Sequence, residues 1–354
     1  MNAADTPPPP VSRPELAGIA RHLPVPRAGS VLADLSDSTN AWGPSPEAAR
    51  AAREAARDVA AYPTPYGSEL KAALAAYHQV RPEEVVTGCG SDDVIRCAFA
   101  AFGAPGAVIT WMEPTFVMIP VFARVLGLEA RPVRFGPSFD VDAAALLAER
   151  AAMTYLCSPN NPTGTRAGRE AVARLLEEAE GLVVMDEAYA DFSGESWIAD
   201  ARAGRRLLVT RTFSKSFGLA GLRAGYGIAS PDVVEAIEKV RGPFALSLVA
   251  ERAATAAIGG DLKWMRDHAR EAVSNRERLD ETLRRQGYAP LASGANFLTV
   301  PVRDGMAVAD ACARRGVIVR GFRALPVVGD AVRVAMAPWP VLEHVVAAFD
   351  EVPR

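Results

Sequence analysis

The chain has 354 residues, of which 49% are apolar and 23% charged, the balance of an ordinary globular protein too long for one simple core. Its net charge of −3 gives no electrostatic reason to expect nucleic acid or an anionic membrane as partner, and no apolar run approaches the roughly 20 residues that span a bilayer. The four cysteines and four histidines are scattered, without a CxxC or a Ser–His or Cys–His motif, so a disulfide frame, a metal site and a Ser-His-Asp mechanism have little support.

In chain order, MNAADTPPPP has no apolar signal region, which makes the cytoplasm the expected compartment. The proline run Pro7–Pro10 and a short helix-like patch read as part of an N-terminal arm, residues 1–45, ordered against a partner subunit. Helices are expected over Glu47–Ala61 and Ser68–His78, then a strand Val85–Thr87 ended by Gly88-Cys89-Gly90. Ser91-Asp92-Asp93 is expected to cap a helix to about Phe102. Apolar runs at Ala107–Trp111, Glu129–Val133, Met153–Cys157, Leu182–Met185, Leu207–Thr210 and Gly225–Ile228 alternate with helical stretches. That pattern predicts an α/β fold, a mostly parallel sheet wrapped by helices, over residues 46–245. Long helices follow at Leu248–Ala257 and Leu262–Gln286. A small α+β part then comprises Asn296–Val300, helix Val308–Arg315, Val317–Arg320 and Val332–Met336, so residues 246–354 are expected to form a smaller C-terminal domain.

Lys215 lies in TFSKSFGLAGLRAGY, Thr212–Tyr226, just past the run Leu207-Leu208-Val209. Alone it reads as a solvated loop lysine. Thr212, Ser214 and Arg223 around it form a cradle for a dianion, and an amine nucleophile beside an anion cradle is what covalently held pyridoxal phosphate requires. Four further elements precede it. GCGSDD, Gly88–Asp93, stands at a strand-to-helix turn, where Gly90, Ser91 and the Asp92 amide can meet a phosphate; a plain glycine-assisted turn fits as well. Phe116 in EPTF follows a strand and can stack on a flat ring, or simply fill the core. SPNNPTG, Ser158–Gly164, turns the chain so that Asn161 can point its amide into a cleft. In VVMDEAYADF, Asp186 ends a strand, where a carboxylate can hold a proton on a ring nitrogen, and Tyr189 follows three residues on. Each of these is weak or moderate alone; their order ahead of Lys215 and Arg223 is specific.

Together with LSDSTNAWGPSP (Leu35–Pro46), YPTP (Tyr62–Pro65), RGPF (Arg241–Phe244), ANF (Ala295–Phe297), Arg320 and Arg333, these motifs resemble the class I/II, fold-type-I pyridoxal-phosphate aminotransferases over about residues 35–350. Within that family the chain is most similar to the histidinol-phosphate aminotransferase branch. The resemblance implies that Lys215 joins the cofactor and then acts as base and acid of the proton shift. Asp186 would pair with the ring nitrogen, Asn161 and Tyr189 with the ring 3-oxygen, and Phe116 with the ring face. Ser91, Asp92, Thr212, Ser214 and Arg223 would hold the phosphate. It further implies a homodimer in which Tyr62 reaches the other subunit's cofactor phosphate. Arg333 would bind the α-carboxylate of glutamate, Arg320 a substrate phosphate, and Asn40 would line the substrate mouth.

Departures from the family pattern fall on the substrate side: Ser38-Thr39-Asn40-Ala41 replaces Asn-Glu-Asn-Pro, Phe116 replaces a tyrosine, the first 61 residues lack tyrosine, and VAMAPWP follows Arg333. The expected reaction is ping-pong transfer between glutamate/2-oxoglutarate and a keto partner such as imidazole acetol phosphate. An aromatic amino acid aminotransferase, a threonine-phosphate decarboxylase-like enzyme and, more remotely, a non-catalytic cofactor-binding regulator are the alternatives.

Overall fold

The computed structural model describes residues 12–20, 30–203 and 206–352; the proline run Pro7–Pro10 and His22 lie outside the described residues. In chain order the strands are β1 (Ala33–Asp34), β2 (Val85–Gly88), β3 (Val108–Glu113), β4 (Glu129–Arg134), β5 (Met153–Cys157), β6 (Leu182–Asp186), β7 (Leu207–Thr212), β8 (Gly225–Ile228), β9 (Phe297–Pro301), β10 (Val317–Ile318), β11 (Arg320–Leu325) and β12 (Gly329–Ala335). Seven form one sheet in the order β2-β8-β7-β6-β5-β3-β4, in which β8 runs antiparallel to both its neighbours and the other pairs are parallel.

Successive residues of a strand face opposite sides, and both sides here are apolar. Val183 and Met185 of β6 and Leu207 and Val209 of β7 enter one core; Leu182, Val184 and Leu208 enter the other. A sheet buried on both faces needs continuous apolar strands, which is why these runs do not alternate in sequence. Their short length and shared direction leave all the parallel strands' carboxyl ends on one edge, where open α/β sheets bind ligands.

A three-stranded antiparallel sheet, β11-β12-β9, forms a third core with Leu35, the helix Leu262–Arg285 and the helix Trp339–Glu351. β1 pairs in parallel with β10, so residues 33–35 are stitched to the C-terminal part of the chain. The helix Leu248–Gly260 packs its Ala250, Ala253, Ala254 and Ala257 into the first core, together with Ala48 of the helix Pro46–Ala55.

Four local expectations shift. The first helix stops at Ala55 instead of Ala61, and residues 56–61 form turns. Ser91–Asp93 form the first turn of their helix, and Gly90 takes the cap position. The stretch Val317–Arg320 is divided: Ile318 ends β10 against β1, and Arg320 opens β11 against β12. The helix expected from Val308 begins at Gly305, since the Asp304 carboxylate accepts from the amides of Met306 and Ala307.

Candidate active site

At the carboxyl edge of the large sheet, the turn after β2 brings the backbone close to Arg223. Gly90 has φ +84°, and a Cβ there would stand 2.6 Å from Arg223 Nη2. A Cβ on Gly225 would meet the Ser91 amide nitrogen at 2.2 Å. Both positions therefore require glycine. The helix Ser91–Phe102 starts here without a side-chain cap, so its first amides and its dipole face the same space as the guanidinium. Arg223 itself is left-handed, φ 55°. It donates from Nη1 to Ser214 Oγ at 3.3 Å and from Nη2 to Asp92 Oδ2 at 3.3 Å, and Thr212 Oγ1 donates to Ser214 Oγ at 3.0 Å. A cation, two hydroxyls and a helix N-terminus converge, a donor set suited to a phosphate dianion.

Asp186 ends β6 and is 4% exposed. Tyr155 donates to its Oδ2 at 2.8 Å; Thr210 Oγ1 and the Ala188 amide donate to Oδ1 at 3.2 and 3.1 Å. Burial raises its pKa to about 6, and the hydrogen bond from Tyr155 opposes that rise. A buried carboxylate with no cationic partner among the described residues is suited to an incoming N–H⁺, as a protonated pyridine provides. Next to it a buried ion network fixes the strand ends: Arg211 pairs with Glu187 at 2.7 Å and Asp191 at 3.0 Å, and Ser216 Oγ donates to Asp191 at 2.5 Å.

Lys215 follows β7. Its Nζ donates to the Asp37 carbonyl at 2.8 Å and lies 5.6 Å from the centroid of the Tyr189 ring. Removal from water, helped by Arg333, lowers its pKa to about 8, so a sizeable uncharged fraction exists just above neutrality. Tyr189 is 3% exposed, and burial raises the pKa of its hydroxyl, which stays a proton donor.

Arg333 on β12 closes the site from the other sheet. Nη1 donates to Asn161 Oδ1 at 2.5 Å and Nη2 to the Ser36 carbonyl at 2.6 Å, while the buried Nε has no partner among the described residues. Of the two asparagines in SPNNPTG, Asn160 is spent on the loop, donating to Pro114 O and Thr163 Oγ1. Asn161 has its oxygen turned to Arg333, which leaves its Nδ2 donor for another acceptor. Arg320 is the direct cross-strand neighbour of Arg333 and donates to Asp37 Oδ1 at 2.5 Å.

The structure thus brings together Lys215, Tyr189, Asn161, Arg333 and Arg320, with Asp186 at the neighbouring strand end and Ser91, Asp92, Thr212, Ser214 and Arg223 around the anion cradle. Asn40 is a tether: its Nδ2 donates to Ser216 O at 3.0 Å and its Oδ1 accepts from the Trp42 amide. Phe116 is half-buried against the core that contains Cys157. Tyr62 stands apart, 80% exposed, its ring stacked on Phe244 at 4.8 Å. Sequence reasoning passed over Tyr155, Thr210 and Asp37. Tyr155 sits two residues before Cys157, the register partner of Asp186, a relationship that only strand pairing reveals.

Residues 32–349 match the family Aminotransferase class I and II. Histidinol-phosphate aminotransferase 2 of Rhizobium meliloti is 36% identical over 91% of this chain and 93% of its own. An aromatic amino acid aminotransferase of Nocardia farcinica is 35% identical over 88% and 90%. The crystal structure of histidinol-phosphate aminotransferase from Sinorhizobium meliloti in complex with pyridoxal-5'-phosphate superposes with a TM-score of 0.83 at 26% identity, covering 91% of each chain. A family match across nearly the whole chain, with an anion cradle, a buried carboxylate and a lysine of lowered pKa on one sheet edge, places this protein among the class I and II aminotransferases, as a pyridoxal-phosphate-dependent transaminase.

Proposed function

We propose that the enzyme transfers an amino group between glutamate/2-oxoglutarate and histidinol phosphate/imidazole acetol phosphate. One observation carries the placement of substrate: Lys215 Nζ and Arg333 Nη2 bind the carbonyls of adjacent residues, Asp37 and Ser36, at 2.8 and 2.6 Å. Amine and guanidinium are therefore anchored to one short segment, and the Arg333 charge is near enough to help lower the Lys215 pKa, so an amino acid gripped by Arg333 would present its Cα–H toward the amine.

In this reading Ser91, the Asp92 amide, Thr212, Ser214 and Arg223 hold the cofactor phosphate, Phe116 flanks the ring, and Asn161 Nδ2 and Tyr189 donate to its oxygen. Asp186 holds the proton on the ring nitrogen. Bound there, pyridoxal phosphate supplies a conjugated cation that stores the electron pair of a broken Cα–H bond. Arg333 would grip the anionic end and turn the Cα–H toward Lys215, whose Nζ would take the proton as base and give it up again as acid within the same half-reaction, the second half-reaction running the same shift in the opposite direction. Tyr189 and Arg333 line the space beside the amine and exclude bulk water. We further propose a cytoplasmic homodimer in which the exposed Tyr62 reaches the partner's cofactor phosphate, with residues 46–245 as the cofactor-binding domain, 246–354 as the small domain and 1–45 as the arm.

The test follows the cofactor's visible band. Glutamate should abolish the band and imidazole acetol phosphate should restore it. Loss with glutamate but no recovery with the phosphate ketone rejects this acceptor. No response to glutamate rejects glutamate as donor. A second reading, transamination of aromatic amino acids, is favoured by one contact: Arg320 is already paired with Asp37.

A further inference from the structure

Arg320 and Arg333 are directly opposed across β11 and β12 and so project to the same face. Left alone they would present two positive charges to whatever anion enters. Asp37 changes that sum. Its carboxylate accepts from Arg320 at 2.5 Å, while its backbone carbonyl accepts from Lys215. The residue before it binds Arg333 through Ser36 O, and the one after it accepts from Asn296 through Ser38 O. Three consecutive carbonyls are thus held by three separate elements, and this places the Asp37 side chain against Arg320. The Arg320 side chain is 19% exposed, that of Asp37 62%.

We propose that Asp37 is a specificity-determining residue that leaves the anionic end of the site with one uncompensated positive charge. The inference rests on the transaminase reading and on both arginines as anion binders. A monoanionic carboxylate matches one guanidinium, that of Arg333. A dianionic phosphate calls for two, and to engage Arg320 it must displace Asp37, placing like charges side by side. The site therefore favours substrates ending in carboxylate over those ending in phosphate, relative to the same site without Asp37. Because Asp37 is largely exposed, the bias is screened and is a matter of about tenfold rather than thousands.

Histidine and histidinol phosphate share a side chain and differ at the anionic end. In the holoenzyme, each is used as a competitor of the glutamate half-reaction in wild type, Asp37→Asn and Asp37→Ala, at low salt. The expected result is that the ratio of inhibition constants shifts about tenfold toward histidinol phosphate in both variants. In an Arg320→Gln background the same substitutions should leave the ratio within about twofold, which a general loosening of the segment would not produce. A ratio unchanged or shifted the other way in both variants overturns the inference, as does failure of histidinol phosphate to compete in any form. Whether wild type turns over histidinol phosphate is read separately and decides only the acceptor.

Discussion

Arg333 and Asn161 meet at 2.5 Å across 172 residues of sequence, and their contact joins β12 of the small sheet to the turn after β5 of the large one. Arg333 is 7% exposed, and burial lowers the pKa of its guanidinium. Its buried Nε has no hydrogen-bond partner among the described residues. Replacing Arg333 with Gln should lower kcat/KM for glutamate by about 10²-fold, chiefly through KM, since a buried charged contact is worth a few kcal/mol. Steady-state kinetics with varied glutamate measures it; an unchanged KM places the carboxylate elsewhere.

Lys215→Ala should cut transamination by about 10³-fold or more, because it removes both the nucleophile and the proton carrier. The wild-type amine, with a pKa near 8, is mostly charged at pH 7 and mostly uncharged at pH 9. Capture of pyridoxal phosphate by the apoenzyme should therefore accelerate with pH, with a midpoint near 8, and level off above about 9. Stopped-flow absorbance across that range gives the midpoint, and a midpoint above 10 would mean the amine is not desolvated.

Tyr155→Phe removes the donor to Asp186 Oδ2 and leaves a buried carboxylate oxygen unpaired. Without that bond the carboxyl pKa should rise from its value of about 6. We expect kcat to fall several-fold and the acid limb of the kcat–pH profile to move to higher pH. An unshifted limb would show that Tyr155 only fills space.

His78 accepts or donates at 2.8 Å to the Tyr226 hydroxyl, and burial lowers its pKa to about 4. An unfolded histidine takes a proton near 6.5. Below that value the unfolded chain binds a proton that the folded one refuses until about 4. Stability from this group is thus complete above 6.5 and declines as pH falls toward 4. Thermal melts at pH 7 and pH 5 should show a smaller drop for His78→Gln than for wild type; equal drops would exclude His78 as a contributor.

The large sheet was legible because each parallel strand is buried on both faces and writes a continuous apolar run, as in Leu182–Met185 and Leu207–Thr210. Five anchor motifs were readable since each immediately follows a strand. Other features were hidden for physical reasons. β1 is two residues long and exists only by pairing with β10, about 280 positions on. Asp37 looks like any loop carboxylate until Arg320 is seen beside it. The Tyr155–Asp186 bond depends on the relative register of β5 and β6, which no local pattern encodes.

The carbonyls of Ser36, Asp37 and Ser38 wait for Arg333, Lys215 and Asn296. During synthesis the segment leaves the ribosome long before any of its three partners is made, the nearest lying 178 residues downstream. The large sheet can form first, but the pocket stays unassembled until nearly the last residue emerges. Contacts of such long sequence separation close slowly. A nascent chain therefore carries Lys215 as an ordinary solvated ammonium, and the burial and the Arg333 charge that lower its pKa arrive late and together.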